Sequence, residues 1–121
     1  MLRKVDCIMI RVEDVDTATT YYKEVFGLRP VWREGHMSGL LFPDSDTEVV
    51  LQNDPNIPPV KIDVNYFVES VLDAVASYQA KGCTVIAGPF DIPIGKCAVI
   101  RDPFGTPMTL VDMTKGPRQP L

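Results

Sequence analysis

The sequence predicts an α+β fold in which two tandem βαβββ modules form a cupped, mixed β-sheet. Short segments of alternating apolar and polar residues, typical of half-buried strands, flank two segments with helical spacing. Each helical segment is followed by a glycine, Gly27 or Gly82, which is the residue that most often ends a helix in the left-handed conformation. The order strand, helix, glycine and three strands occurs twice, so the chain contains an internal repeat.

The first module is expected over about residues 3–53. Residues 5–12 alternate as a strand, and Asp14 or Asp16 can cap a helix that runs to about Phe26. The remaining predicted elements are strands near 29–33, 38–42 and 47–52, with turns at 34–36 and 43–46.

The second module is expected over about residues 61–114, after a proline-rich linker at 53–60. A strand at 62–68 leads to a helix that Ser70 can cap and that ends near Lys81. The elements predicted after it are strands near 84–87, 96–101 and 108–112, a loop at 88–95 that could serve as a rim or lid, and a frayed tail from 115.

The two modules align residue by residue. Val12 matches Val68, and Gly27 matches Gly82 after a one-residue gap. This register pairs Cys7 with Asp63, and Val50 with Thr109. Each module is expected to cover one sheet face with its helix, so that the other faces form a concave place suited to a small molecule.

Composition excludes several classes of partner. The 121 residues carry a formal net charge of −4, with no cluster of Lys or Arg, so neither nucleic acid nor membrane is an expected partner. The first residues do not read as a secretory signal, and three cysteines without metal-finger spacing are most simply reduced thiols. A cytoplasmic protein is therefore expected.

Two stretches, IMIRVEDVDTATTYYKEVFGL in the first module and VIRDPFGTPMTLVD in the second, resemble the vicinal oxygen chelate superfamily. That superfamily includes glyoxalase I, extradiol dioxygenases, fosfomycin-resistance enzymes and bleomycin-binding proteins, and the resemblance extends over about residues 3–114. It implies the repeated fold, a small-molecule ligand and a homodimer, with the modules paired either within one chain or by exchange between chains.

The resemblance also locates four positions that carry metal ligands in the metal-bearing members. They fall on Cys7, Val50, Asp63 and Thr109, where histidine or glutamate is usual. Valine offers no donor and a threonine hydroxyl is a poor one, so the usual divalent-metal set is broken and no resident cofactor is expected.

Strand parity then predicts which side chains line the open faces, because residues two apart on a strand point the same way. The predicted ligand pocket consists of Cys7, Met9, Arg11, Glu48, Val50, Gln52, Asp63, Asn65, Phe67 and Thr109. Arg11 could instead pair with Glu48 or Asp63 and only compensate charge. His36, the single histidine, is expected to be a solvated turn residue, and Cys7 an inert thiol.

Two functional hypotheses follow, with no catalytic residue assigned in either. The first is a small-molecule-binding protein without the usual metal. The alternative is a glyoxalase-type lyase or dioxygenase with a rearranged divalent-metal site formed by Cys7, Glu48 and Asp63.

Overall fold

A computed structural model of the chain describes residues 1–61 and 63–120. The chain divides into two compact units, Met1–Val60 and Lys61–Leu121. Each unit has one four-stranded mixed sheet and one helix, which gives the predicted α+β fold with two βαβββ modules.

The first unit follows the predicted order of elements. These are β1 Cys7–Arg11, α1 Val15–Glu24, β2 Arg29–Glu34, β3 Met37–Leu41 and β4 Glu48–Gln52. The sheet order is β1-β4-β3-β2, with β1 parallel to β4 and the other neighbours antiparallel. The side chain of Asp14 caps α1 by accepting from the Thr17 amide, and Gly27 at φ +76° ends it as expected.

The core of the first unit lies between α1 and one face of its sheet. Tyr22 from the helix and Leu40, Val49 and Leu51 from β3 and β4 are almost fully buried. The Thr19 hydroxyl of α1 hydrogen-bonds the buried Ser38 hydroxyl at 2.6 Å. This polar contact joins helix and sheet, so the opposite sheet face is the one left for other uses.

The second unit repeats the design. Its elements are β5 Asn65–Phe67, α2 Val71–Ala80, β6 Thr84–Ile92, β7 Gly95–Arg101 and β8 Pro107–Val111, in the sheet order β5-β8-β7-β6. Ser70 caps α2, and Gly82 follows it at φ +106°. Val71, Ile100 and Leu110 are buried. In the described part of the chain, no helix is long and apolar enough to cross a bilayer.

The predicted register of the repeat is confirmed by the strand ladders. Met9 pairs with Val50 in the first sheet, and Asn65 pairs with Thr109 in the second. These two residue pairs are equivalent, one in each parallel strand pair, because Met9 matches Asn65 in the alignment of the modules. Val50 and Thr109 therefore occupy equivalent places on equivalent strands.

Two predicted boundaries are wrong. The strand expected at 62–68 is shorter: it begins at Asn65, so Asp63 precedes it, and Ile62 lies outside the described residues. The loop expected at 88–95 is mostly strand, because β6 continues to Ile92 and pairs with β7. A register shift between Ala87 and Phe90 accommodates the glycine and proline that favoured a loop.

Candidate functional site

The first sheet has an outer face, the one turned away from α1. Residues paired across neighbouring strands point to the same face, so this face is read directly from the ladders. We define the outer face of the first sheet as the three rungs Cys7, Glu48, Leu41 and Arg29; Met9, Val50, Gly39 and Trp32; and Arg11, Gln52, Met37 and Glu34. Met9 and Trp32 are among its most exposed apolar side chains, at 40% and 37%.

All six predicted pocket residues of the first module lie on this outer face, but two are not accessible. Val50 and Gln52 belong to an inner strand and are buried, at 3% and 4% exposure. The Gln52 side-chain oxygen accepts a hydrogen bond from the Asp54 amide at 2.8 Å. Gln52 thus fixes the start of the linker, which leaves Cys7, Met9, Arg11 and Glu48 as the reachable members of the predicted set.

Trp32 and Glu48 form a direct contact on this face. The indole Nε1–H donates to both carboxylate oxygens of Glu48, at 3.1 and 3.2 Å. A Cβ built on Gly39 would lie 2.1 Å from Nε1 and 2.3 Å from Cε2. The five-membered ring therefore lies directly over the Gly39 backbone, and only glycine at position 39 permits this close approach.

Cys7 neighbours Glu48 on β4 in the parallel register. Burial first, and then the negative charges of Asp6 and Glu48, raise the pKa of the Cys7 thiol. A thiol in this environment is protonated at neutral pH, and the thiolate is the form that attacks electrophiles or binds metal. The side chain is therefore suited to packing rather than nucleophilic chemistry.

Arg11 has different partners from those considered in the sequence. Its guanidinium donates to the backbone carbonyls of Asp54 and Ile57, both in the linker. In the described residues no ion pair joins it to Glu48 or Asp63, so the predicted charge compensation is replaced by a main-chain contact. Arg11 therefore holds the linker against the end of β1.

His36 and Asn53 continue this attachment of the linker. The exposed His36 hydrogen-bonds the Asn53 side-chain oxygen at 2.9 Å, and the Asn53 side-chain Nδ2–H donates to the Glu13 carbonyl at 3.0 Å. The histidine is exposed at the turn, as expected from sequence, and its partner shows that it also anchors the chain after β4.

The second sheet carries the other predicted pocket residues on or near its own outer face, turned away from α2. Asn65 and Phe67 are exposed, Phe67 at 60%, while Thr109 is half-buried on the inner strand β8. Phe90 shares a rung with Cys97 and Val111, and is also exposed. Asp63 is exposed ahead of β5.

One buried carboxylate in the second unit was missed by sequence reasoning. Asp112, just after β8, is 1% exposed and accepts from the Val71 amide at 2.7 Å and the Lys96 amide at 2.8 Å. The hydrogen bond from Val71 is the main cause that lowers the pKa of Asp112 to about 2, and bonds from Lys96 and Thr114 add to it. Asp112 joins α2 to β7 and β8, so its charge is structural.

The four metal-ligand positions do not form a suitable donor set. Val50 offers no donor atom, and Thr109 offers only a neutral hydroxyl. Among residues 1–61 and 63–120, no three His, Cys, Asp or Glu side chains are grouped to hold a metal ion. The side chains present do not fit the usual divalent-metal centre.

The Trp32–Glu48 contact was also missed, although the sequence contains a sign of it. Gly39 interrupts a strand, and a glycine inside a strand often marks a place where another group approaches the backbone. Counting back across the turn at Gly35 and His36 sets Trp32 opposite Gly39, as the ladder confirms.

Comparison with known proteins gives a consistent result. A family model described as the Glyoxalase/Bleomycin resistance protein/Dioxygenase superfamily matches residues 4–109. No curated protein matches the chain.

Solved structures with the same fold include proteins of different roles. An antibiotic-binding protein from Streptomyces sp. CB03234, TnmS3, is 24% identical, with 93% of this chain and 98% of that one covered and a TM-score of 0.78. A lactoylglutathione lyase from Agrobacterium tumefaciens is 19% identical, with 90% and 92% covered and a TM-score of 0.68. A family enzyme from Burkholderia phytofirmans PsJN is 18% identical, with 92% and 99% covered and a TM-score of 0.75. At these identities the likeness concerns the fold.

Proposed function

This chain belongs to the glyoxalase/bleomycin resistance protein/dioxygenase superfamily, and from that premise we propose that it is a small-molecule-binding protein that works without the superfamily's usual metal site. The observation that carries the proposal is the identity of the four ligand positions. Val50 on β4 is a buried apolar side chain, and its structural equivalent Thr109 carries only a neutral hydroxyl. Two of the four expected donors are thereby lost.

The outer faces supply what a binding protein needs. The first sheet has exposed Met9 and Trp32 beside the carboxylate of Glu48, and the second sheet has exposed Phe67 and Asn65 on its own outer face. Small-molecule sites are mostly apolar with a few placed polar groups that set orientation. The antibiotic-binding protein TnmS3 has the same fold, which is in keeping with this role.

The alternative is a lyase or dioxygenase with a rearranged metal site of Cys7, Glu48 and Asp63. One observation favours it: Cys7 and Glu48 are direct neighbours in the β1–β4 register. Thr109 opposes it, because a neutral hydroxyl occupies a ligand position where histidine or glutamate is usual.

Metal content distinguishes the two functions. The purified wild type and Asp63→Ala are each incubated in turn with Ni²⁺, Zn²⁺, Mn²⁺ and Fe²⁺ and then desalted. Inductively coupled plasma mass spectrometry measures the metal bound per chain. We expect substoichiometric metal in both proteins. One metal per chain that disappears in Asp63→Ala would contradict the binding-only function and support the enzyme.

Ligand binding itself is tested by a thermal-shift screen of small metabolites and antibiotics. A true ligand raises the melting temperature with concentration, because it binds the folded state alone. If no compound in a broad collection stabilises the chain, the proposed function is wrong.

We further propose that the chain acts as a cytoplasmic homodimer, with neither nucleic acid nor membrane as partner. The proposal rests on family membership and on the acidic composition. Size-exclusion chromatography with light scattering measures the mass directly, and a monomer at micromolar concentration would contradict it.

A further inference from the structure

We propose that the Trp32–Glu48 contact is a subsite for a planar cationic group, such as an amidinium, guanidinium or aromatic ammonium. The inference deepens the proposed function, since it assumes that a small molecule binds the outer face of the first sheet. It specifies the chemistry of one part of that molecule.

The carboxylate of Glu48 is available to a cation. It is half-buried, and among residues 1–61 and 63–120 its side-chain hydrogen bonds come from one neutral donor, the Trp32 indole. In the described part of the chain, no Lys or Arg forms an ion pair with it. A partly desolvated carboxylate is stabilised by an opposite charge, so an incoming cation gains both an ion pair and strong hydrogen bonds.

The surroundings of Glu48 reinforce its negative charge. The Glu48 backbone amide donates to the Asp6 carbonyl at 3.3 Å, and Glu48 pairs with Cys7 in the β1–β4 ladder, so two acidic residues lie near one end of β1. Cations in the neighbouring segments have other partners or places. Lys4 forms an ion pair with Asp46 at 3.5 Å. Arg11 is bound to the linker carbonyls of Asp54 and Ile57. Arg29 ends the rung of Glu48 with Leu41 between them, about 10 Å away by strand spacing.

Trp32 supplies the second half of the subsite. Its ring is pressed on the Gly39 backbone, and 37% of the residue remains exposed. A tryptophan face attracts a cation through the quadrupole of the ring. Ring and carboxylate are hydrogen-bonded neighbours, so a flat cation can stack on the indole while its N–H groups reach Glu48. A neutral or anionic group of the same shape gains only the stacking.

The single tryptophan of the chain makes the test direct. The indole N–H of Trp32 gives one isolated peak in a ¹H–¹⁵N correlation spectrum, and that N–H is the group that contacts Glu48. Benzamidinium is titrated as the probe, with neutral benzamide and anionic benzoate at equal ionic strength. We expect benzamidinium alone to move the peak saturably, with a dissociation constant on the order of 1 mM.

Two variants separate charge at the subsite from charge in general. Glu48→Gln retains an oxygen acceptor for the indole but loses the negative charge, and should bind benzamidinium at least about tenfold more weakly. Glu24→Gln removes one charge from the exposed end of α1 and should change the affinity by less than about twofold.

The proposal is overturned if the peak does not respond saturably, if benzamide or benzoate moves it equally, or if Glu24→Gln weakens binding as much as Glu48→Gln. Its failure differs from failure of the proposed function. Ligands with a planar cationic group that raise the melting temperature of the wild type and of Glu48→Gln alike would refute the subsite while small-molecule binding stands.

Discussion

Replacing Gly95 by alanine should strongly destabilise the second unit, although it adds a single methyl group. Gly95 is buried at the start of β7, and a Cβ there would lie 2.1 Å from Asp112 Oδ1, 2.7 Å from the Asp112 carbonyl oxygen and 2.9 Å from the Thr114 amide nitrogen. Ordinary contact begins at 3.4 Å. Two of these atoms are backbone, so the obstacle cannot rotate away.

The cost follows from what must move. Adding a methyl to a close-packed interior costs about 1–3 kcal/mol. The Asp112 carboxylate must shift away from the Lys96 or Val71 amide, and each buried N–H left unpaired adds about 1–3 kcal/mol. We therefore expect a loss of about 3–5 kcal/mol for Gly95→Ala, out of the roughly 5–15 kcal/mol typical of a domain.

Urea unfolding followed by far-ultraviolet circular dichroism measures this loss, since Trp32 fluorescence would report on the first unit. The midpoint should fall by about 2 M for a slope of roughly 2 kcal/mol per molar urea. Gly39→Ala is the matched control: its methyl would meet the Trp32 indole, a side chain that can swing into solvent, and about 1–2 kcal/mol should be lost. A loss below about 0.5 kcal/mol in Gly95→Ala, or an equal loss in both variants, would refute the reasoning.

Three further outcomes are expected. The pKa of Asp112 in the folded protein, about 2, lies below its ordinary 3.8, so the stability that the carboxylate contributes is present above pH 4 and is lost as the pH falls towards 2. In Asp112→Asn the urea midpoint should therefore depend less on pH between 4 and 2 than in the wild type. An equal pH dependence in both proteins would contradict the structural role of this carboxylate. Because burial and nearby carboxylates raise the pKa of Cys7, it should react with iodoacetamide at pH 7 more slowly than glutathione does, and faster in Glu48→Gln; mass spectrometry follows the rates, and faster wild-type reaction would contradict this. Arg11→Met removes the hydrogen bonds to the linker carbonyls, which should lower the free energy that holds the linker in place by about 1 kcal/mol. Limited proteolysis should then cut within residues 53–60 sooner than in the wild type. Equal cleavage rates would show that this contact does not hold the linker.

Much of the scaffold could be predicted because local rules agreed with the repeat. The helix N-caps are Asp14 and Ser70, whose side chains can accept a hydrogen bond from the first turn. The left-handed residues after the helices are Gly27 and Gly82, which have no Cβ to oppose a positive φ. The alternation along β1 and β4, counted from the ligand positions, also predicted which of their side chains share the outer face. Each of these features depends on neighbours close in sequence or on a pattern seen twice.

What could not be predicted depends on partners distant in sequence. Gly88 and Pro89 favour a loop locally, yet Phe90 pairs with Cys97 in the hairpin, and the ladder outweighs the local preference. Arg11 has a charge that a carboxylate on the same face could balance, but its partners are linker carbonyls, which no charge pattern reveals. The outer-face membership of the first-module pocket residues followed from parity; the burial of Val50 and Gln52 depends on strand order and on tertiary packing.

The equivalence of the pairs Met9–Val50 and Asn65–Thr109 in the two sheets has an evolutionary consequence. The ladders are held by main-chain hydrogen bonds, which every residue except proline can make, so valine and threonine can be exchanged at Val50 and Thr109 while the ladder is kept. After duplication, each copy can drift towards its own chemistry, and here one has valine where the other has threonine. Each module thus shows which residue its equivalent position can hold. Exchanging the two residues, Val50→Thr together with Thr109→Val, is therefore a direct way to study how such a protein acquires a new specificity.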